Sequence, residues 1–255
     1  MLTDTHTHLY SESFEQDRKE MIARAMNAGV SRFFVPAIDS AYHNAMHELA
    51  KDYPNNIFLM MGLHPTHVKE NYQEELALAK QQLATHPFYA VGEIGIDLYW
   101  DKTYLKQQQD AFKIQIEWAL EKKLPIVIHA RNSFEEIFEI LDDFKTESLT
   151  GIFHCFSGSH AQAKKIITNY NMKLGIGGVV TFKNGKIDAF LNEIPIEHLV
   201  LETDAPYLAP VPYRGKRNES SYLPIICEKL ANIYHVSTEE IARITSENAT
   251  KVFRV

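Results

Sequence analysis

Apolar runs rich in β-branched residues recur along the whole chain, and segments with helical spacing lie between them. Seven of these runs are candidate strands, at residues 32–37, 57–63, 89–96, 125–130, 151–156, 173–180 and 199–205, and the opening segment "LTDTHTHL" (2–9) makes an eighth. Apolar side chains repeat at helical intervals at residues 21–26, 105–120 and 134–141. Strands that alternate with helices predict βαβ units and a parallel sheet. Eight such units predict a closed (β/α)8 barrel, the TIM-barrel architecture.

The length of 255 residues suits this architecture as one domain, because α/β barrels have about 250 residues. No linker, low-complexity tract or long repeat divides the chain, so we predict a single domain over residues 1–255. The weakest predicted helix lies at residues 184–193. The Pro-rich segment 206–221 is too long for a simple connection and is predicted to be functional. Two terminal helices should follow, the second capped by Ser237 with Glu240 returning the bond.

Charge and cysteine content narrow the possible functions. The net charge of −7 argues against a passive nucleic-acid coat protein, but it does not exclude a nucleic-acid enzyme whose bound cations reverse the sign locally. The two cysteines form no CxxC pair, so neither a disulfide framework nor a zinc knuckle is indicated. The chain shows no signal peptide and no apolar run of membrane-spanning length. We therefore expect a cytoplasmic protein with no membrane association and no obligate protein partner.

Histidines and carboxylates occur at or near the ends of the predicted strands. In a barrel, the C-terminal ends of all strands form one face, where the loops build the active site, so these residues should converge. Residues i and i+2 of a strand point to the same side, which groups Asp4 with His6 and His8, and Glu202 with Asp204. The converging residues are His6, His8, His64, Glu93, His129, His154 and Asp204.

Imidazole nitrogens and carboxylate oxygens together favour a divalent transition ion such as zinc or manganese. Four histidines and two carboxylates exceed the needs of one tetrahedral ion with an open position, and they suit two ions that share a bridging carboxylate. A single strand histidine is usually a hydrogen-bonded core residue, so the prediction depends on all six residues meeting. The six are His6, His8, Glu93, His129, His154 and Asp204.

Other residues of the same types receive ordinary structural interpretations. Six histidines in polar contexts are predicted to be solvent-exposed, and His67 is a weaker candidate for the rim of the pocket. Cys155 follows His154 directly and should point to the opposite side of its strand as a buried structural thiol. The sequence "GIGG" at residues 175–178 is predicted to relieve crowding in the seventh strand. The six histidines are His43, His47, His86, His160, His198 and His235.

Eight short motifs occur in order along the chain: "DTHTHL" (4–9), "GLHP" (62–65), "GEIGID" (92–97), "IHAR" (128–131), "FHCFSG" (153–158), "ETDAP" (202–206), "RGKRNES" (214–220) and "SENATKVF" (246–253). Together they resemble the TatD family of metal-dependent hydrolases within the amidohydrolase-like barrels. The match covers essentially the whole chain. One departure is Ser220, since relatives commonly have proline there, which leaves the geometry of that loop open.

The resemblance implies a TIM barrel with two divalent cations and a deoxyribonuclease activity, often of the 3′-to-5′ type on single strands. It implies that His6, His8 and Asp204 hold one ion and that His129 and His154 hold the other. Glu93 would bridge them, in agreement with the absence of lysine from the ligand-bearing strands. The identity of the metal stays open among zinc, manganese, iron and magnesium.

The roles of the remaining polar residues are hypotheses about phosphodiester hydrolysis. We assign Asp204 as the general base and Glu93 as the bridging catalytic carboxylate. Tyr99 and Trp100 either stack a base or form an aromatic lid packed on the barrel. Glu202 is either an accessory or outer ligand or the partner of a basic side chain. The substrate-binding candidates are His64, Arg131, Glu202, Arg214 and Lys216. Arg217 belongs to the same basic loop as Arg214 and Lys216.

Two other functions are compatible with the same residues. One is hydrolysis of a carboxyl ester, lactone or amide at the same metal site, including the ester of an aminoacyl-tRNA, because the fold does not determine the substrate. Arg131 and the basic loop favour phosphate over a neutral amide. A non-catalytic metal-binding protein is the alternative of another class, and the complete ligand set argues against it.

Overall fold

The computed structural model describes residues 1–145 and 148–255 and shows eight strands in them that form one parallel sheet. The strands are β1 (Leu2–Asp4), β2 (Val30–Pro36), β3 (Ile57–Met61), β4 (Ala90–Asp97), β5 (Ile126–Arg131), β6 (Gly151–Phe153), β7 (Lys173–Ile176) and β8 (Leu199–Leu201). They pair in sequence order, each parallel to the next. The predicted strands are therefore all present, although several end earlier than the apolar runs do.

Eight α-helices lie among these strands in the described residues. They are α1 (Arg18–Asn27), α2 (His43–Asp52), α3 (Tyr72–Thr85), α4 (Leu105–Lys122), α5 (Phe134–Asp143), α6 (His160–Tyr170), α7 (Leu223–Tyr234) and α8 (Thr238–Phe253). None of them is long and apolar enough to cross a membrane. The helices predicted at residues 21–26, 105–120 and 134–141 correspond to α1, α4 and α5.

Two helix details differ from the prediction. Between β7 and β8, residues 177–198 contain only short 3-10 turns, so the weakest predicted helix is absent. That segment carries Gly185 and Pro195, which both disfavour helix. At the start of α8, the Ser237 side chain accepts the Glu240 N–H as predicted, at 3.1 Å. The Glu240 carboxylate pairs instead with Arg243, at 2.9 Å.

The ends of the sheet meet through residues that follow β1 and β8. Thr5 donates its N–H to the Leu201 carbonyl at 3.0 Å, Thr7 forms a parallel bridge with Ala205, and Asp204 donates to the His6 carbonyl at 2.9 Å. Asp4 strengthens this seam, since its carboxylate accepts from Thr203 N at 2.9 Å. The predicted (β/α)8 barrel is confirmed, and its closure brings the first and last strand ends together.

The interior of the barrel is filled with apolar side chains and covered at one end by α8. Buried residues from six strands pack against one another, which is possible only inside the barrel. Phe253 joins them from the C-terminal end of α8 and stacks on Phe34 with ring centroids 3.7 Å apart. Access to the interior is thereby left to the opposite end, where the strands finish. The six strand residues are Phe34, Met60, Ala90, Val127, Ile152 and Val200.

Candidate metal centre

Glu93 lies at the centre of the histidine cluster, and its two carboxylate oxygens have different neighbours. The Oε2 atom lies 3.0 Å from His6 Nε2 and 3.8 Å from His8 Nε2. The Oε1 atom lies 2.8 Å from His129 Nδ1 and 2.9 Å from His154 Nε2. Glu93 therefore separates the histidines into two groups, one around each oxygen.

Asp204 belongs to the first group. Its Oδ1 atom lies 3.5 Å from His8 Nε2 and 3.9 Å from His6 Nε2. The backbone of Asp204 has a φ of 57°, a left-handed conformation that aspartate tolerates better than most residues. The six residues predicted to converge do so: His6, His8, Glu93, His129, His154 and Asp204.

The spacing of these atoms fits divalent-cation ligands. A tetrahedral zinc ion with bonds of about 2.0–2.1 Å places its ligand atoms about 3.3 Å apart. The nitrogen–oxygen distances around Glu93 and Asp204 run from 2.8 to 3.9 Å and bracket that value. Ligating atoms of His6, His8 and Glu93 all lie within 4.8 Å of one another, as do those of His64, Glu93 and His129. The second set contains His64 where the predicted ligand set has His154. Each oxygen of Glu93 could thus hold a metal ion together with the histidines beside it.

The electrostatics of the cluster also favour bound positive charge. Burial alone would raise the pKa of Glu93, but the surrounding histidines, His154 foremost, lower it well below its ordinary value. Burial alone would lower the pKa of His154 and His129, but Glu93, with Glu202 for His154 and Asp97 for His129, raises both. A buried carboxylate thus stays ionised among groups that neutralise it, which is the electrostatic role of a divalent cation.

Gly95 allows β4 to lie close enough to β5 for the Glu93–His129 contact. Its φ is 140°, a conformation that side chains rarely adopt, and a Cβ at this position would overlap the His129 carbonyl oxygen. Both Glu93 and Asp97, four residues apart on β4, contact the His129 ring.

His64, predicted to bind substrate, also contacts the central carboxylate, with its Nε2 atom 3.2 Å from Glu93 Oε1. Its Nδ1 atom accepts the Thr66 backbone N–H at 3.1 Å, so in the neutral ring Nε2 carries the proton. Burial lowers the pKa of His64 to about 4, which keeps the ring neutral. His64 therefore presents a hydrogen-bond donor to the site.

A cavity of about 770 Å³ opens above the cluster, and its lining includes most of the predicted substrate-binding residues. His64, Arg131, Arg214 and Lys216 line it, together with His67 at the rim as predicted. The Arg131 guanidinium lies 3.9 Å from the centre of the Tyr99 ring. Tyr99 and Trp100 are 54% and 70% exposed, so they do not form a lid packed on the barrel.

Of the five predicted substrate-binding residues, Glu202 is the one that does not line the cavity. Its side chain is fully buried, with Oε1 3.3 Å from His154 Nδ1 and in a hydrogen bond from Cys155 N. Because β8 ends at Leu201, strand alternation does not extend to Asp204, and the grouping of Glu202 with Asp204 is wrong. Glu202 lies behind a histidine of the cluster and is not among the residues that line the cavity.

Cys155 and His43 also differ from their predictions. Cys155 is half-buried and lines the cavity beside His154, because β6 ends at Phe153 and the Cys155 backbone turns with a φ of 46°. His43 is buried at the start of α2, where exposure was expected. His86 and His235 are exposed as expected, whereas His47, His160 and His198 are half-buried. Sequence reasoning missed Tyr207 and Thr66 in the lining, since neither follows a strand pattern.

Arg217 does not join the basic side chains of the cavity. It forms a two-point ion pair with Asp17, at 2.6 and 2.8 Å, and Arg24 joins Asp17 to Glu219. These contacts tie the segment 206–221 to α1. Hydrogen bonds from Arg217 and then Arg24 lower the pKa of Asp17 below its ordinary value of 3.8.

We expect Asp17→Asn to lower the free energy of unfolding by about 0.5–1 kcal/mol at neutral pH, the upper part of the range for a partly exposed ion pair. Since the folded-state pKa lies below the ordinary 3.8, the stabilisation is present above pH 3.8 and is lost as the pH falls toward the folded-state pKa. Urea unfolding of both proteins at several pH values measures the difference. Glu20→Gln, at an exposed position of α1, is the control, and a difference independent of pH would contradict the assignment.

The barrel, the carboxyl-end site and its ligand chemistry together define a metal-dependent hydrolase, and comparison with known proteins gives the family. The family model described as TatD related DNase matches residues 3–254, and the chain belongs to this family. The curated relative YabD of Bacillus subtilis, named an uncharacterized metal-dependent hydrolase, is 40% identical over the full length of both chains. YcfH of Escherichia coli K12, named likewise, is 29% identical across all of this chain and 96% of that protein.

Solved structures agree with this relationship. The crystal structure of YjjV, a TatD homologue from Escherichia coli K12, superposes with a TM-score of 0.93 at 28% identity, covering 100% of this chain and 98% of that one. A TatD-family hydrolase from Entamoeba histolytica superposes with a TM-score of 0.84 at 20% identity, covering 99% of this chain and 97% of that one, and shows the shared fold.

Proposed function

We propose that this hydrolase is a deoxyribonuclease that removes nucleotides from the 3′ end of single-stranded DNA with two divalent cations. The main support for this proposal is that each Glu93 oxygen contacts a different group of histidines, on the floor of a cavity lined by basic side chains. A bridging carboxylate between two cations is the arrangement of two-metal hydrolases.

The proposed ligand groups follow the contacts of Glu93. His6, His8 and Asp204 would hold one cation with Oε2, and His129 and His154 would hold the other with Oε1. When bound, the cations would supply an activated water and stabilise charge on the phosphoryl oxygens. Zinc, manganese and magnesium are the candidate ions, and the nitrogen-rich ligand set favours the first two.

The protein's own groups supply proton transfer and substrate positioning. Asp204 faces the cavity with its side chain 12% exposed, so its carboxylate can accept a proton from the attacking water as general base. His64 lines the same cavity, and its Nε2–H, which faces Glu93 Oε1 at 3.2 Å, would become available to a phosphate oxygen where a cation engages that carboxylate oxygen. Asp204 does not need to leave its observed position to act on a substrate in the cavity.

The cavity mouth favours a nucleic-acid strand over a neutral substrate. Arg131, Arg214 and Lys216 line the cavity, and each places its cationic group over an aromatic ring rather than in an ion pair with a described residue. Since no described carboxylate neutralises them, their charges can act on phosphates. Tyr99 and Trp100 expose ring surface beside Arg131, where an unpaired base could stack. A local basic rim of this kind attracts a polyanion despite the net charge of −7.

We expect a 5′-labelled single-stranded oligonucleotide to be shortened into a ladder from its 3′ end when magnesium, manganese or zinc is present. A chelator in excess should stop the reaction, and added cation should restore it. Arg131→Ala should raise KM and flatten its salt dependence by about one unit of log–log slope, because one phosphate contact is lost. Lys80→Ala, on exposed α3 surface, is the control for removal of one charge.

A carboxyl ester and an aminoacyl-tRNA are tested in the same buffers. Turnover of either one without any cleavage of the oligonucleotide would overturn the nuclease proposal and favour an ester hydrolase. RNA of the same sequence distinguishes the sugar preference, since a DNA-directed enzyme should degrade it more slowly.

A further inference from the structure

Each histidine of the proposed metal centre has a second ring nitrogen that faces away from Glu93, here called its outer nitrogen. A metal-bound histidine carries a proton on this nitrogen, and an acceptor for that proton orients the ring and raises its basicity. The outer nitrogens are Nδ1 of His6, His8 and His154 and Nε2 of His129.

Two of the four outer nitrogens have a partner of their own. His129 Nε2 lies 2.8 Å from the Asp97 carboxylate. His8 Nδ1 lies 3.0 Å from the Tyr10 hydroxyl, which itself donates to the Pro36 carbonyl at 2.8 Å. Each of these two histidines can therefore be oriented independently of the others.

The other two outer nitrogens, on His6 and His154, are buried and have no hydrogen-bond partner among the described residues. Their rings stack on each other with centroids 3.8 Å apart. Glu202 is the acidic residue beside them: its Oε1 atom lies 3.3 Å from His154 Nδ1, and its Oε2 atom also lacks a partner in the described chain. Ligating atoms of these three residues lie within 4.8 Å of one another.

Glu202 is held in this position by backbone groups. The Cys155 N–H donates to Oε1. Gly175 lies against the other oxygen, because a Cβ at that position would overlap Oε2. The glycine at the start of "GIGG" thus makes room for a carboxylate, which is a more specific role than relief of crowding within β7.

We propose that Glu202 is a positioning residue shared by the two metal groups, accepting the outer N–H of His154 directly and that of His6 through one buried water. The inference rests on the two-cation site of the proposed function. His6 Nδ1 and Glu202 Oε2 are both buried without a partner among the described residues, and one ligand atom each of His6, His154 and Glu202 lies within 4.8 Å of the others. A single water can bridge polar groups at such a spacing, and two histidines and a carboxylate give it enough polar partners. Glu202 then acts on one histidine of each group, whereas Asp97 acts on His129 alone.

The test compares Glu202→Gln with Asp97→Asn by titrating each metal-free protein with Co²⁺ and following the visible absorption of the bound ion. We expect Glu202→Gln to weaken both binding steps by about 10–100-fold, and Asp97→Asn to weaken one step by a similar factor. If Glu202→Gln weakens one step only, or neither, the shared role is wrong. The titration uses no substrate, so absence of nuclease activity leaves it unaffected.

Wild-type stoichiometry separates the two proposals. One Co²⁺ per wild-type chain would contradict the two-cation function itself. Two Co²⁺ per chain with an unaffected Glu202→Gln variant would contradict only the role of Glu202.

A glycine pair provides a matched control that leaves the Glu202 side chain in place. Gly175→Ala should displace the carboxylate and reproduce the loss in both steps. In Gly177→Ala, the new Cβ would have its nearest neighbour, the Glu202 carbonyl oxygen, at an ordinary 3.6 Å, so this variant should bind as the wild type does. Equal affinities in the two variants would overturn the inference.

A crystal structure of the zinc-loaded wild type tests the same point without any substitution. It should show His154 Nδ1 hydrogen-bonded to Glu202 and a water joining His6 Nδ1 to Oε2. A structure in which these nitrogens bond elsewhere, or in which Glu202 itself ligates zinc, would contradict the proposal. This test remains available even if the substituted proteins do not fold.

Discussion

Glu93→Gln should abolish retention of both cations and lower kcat by about 10³-fold or more. Charge stabilisation at a reacting centre alone is worth about 10²–10³, and the loss of water activation adds to it. The effect should be this large because, within residues 1–145 and 148–255, Glu93 is the one carboxylate that directly contacts both histidine groups, and an amide can replace neither negative oxygen.

The measurement is metal content after dialysis, alongside turnover of the labelled oligonucleotide. Glu139→Gln, at an exposed position of α5, makes the same chemical change away from the site and should keep two ions and full activity. Two tightly bound ions in Glu93→Gln would show that the carboxylate does not bridge them.

Asp204→Asn should lower kcat by about 10²–10⁴-fold, the range for loss of a general base, while the protein stays folded. The side chains are almost the same size, and the Asp204 backbone N–H keeps its bond to the His6 carbonyl at 2.9 Å. The exposed edge of this carboxylate in the cavity is what makes it available to the attacking water.

Turnover, circular dichroism and thermal unfolding of Asp204→Asn distinguish catalysis from a passive metal-binding role. Asp52→Asn, at the exposed end of α2, serves as the control. Unchanged activity in Asp204→Asn would refute the assigned role. Activity in neither the variant nor the wild type, on any of the substrates, would favour the non-catalytic alternative.

The barrel and the convergence of the ligands were predictable because they depend on apolar periodicity and on one topological rule. Seven apolar runs and the opening segment 2–9 predict eight strands, and parallel strands bring their C-terminal ends together whatever the details of the loops. Residues at those ends, such as His6 and His129, therefore meet Glu93 even though the sequence separates them widely.

Predictions failed where strand alternation was extended beyond the hydrogen-bonded strand. The predicted strands at residues 199–205 and 151–156 extend past Leu201 and Phe153, where the regular strands β8 and β6 end. Cys155 and Asp204 then adopt positive φ angles, which rotate their side chains out of the alternating pattern. No period in the sequence reports such a turn.

Long-range ion pairing accounts for another failure. The position of Arg217 in a basic loop suggested a substrate contact, but Asp17 lies 200 residues earlier and captures its guanidinium. Composition near a motif cannot distinguish a free cation from one paired with a distant element. Arg214 and Lys216 have the same local context and remain directed to the cavity.

The seam between the two ends of the chain gives the proposed cation site a part in completing the fold. Thr5 and Asp204 bond across this seam to Leu201 and His6, so His6 and Asp204 become neighbours only after nearly the whole chain has been ordered. This contact closes a very long loop, so forming it has a large cost in chain entropy. A cation that binds only the closed form would stabilise it in proportion to the logarithm of its concentration. The supply of metal would then determine how much of the newly made chain persists as a complete barrel, before any substrate is present.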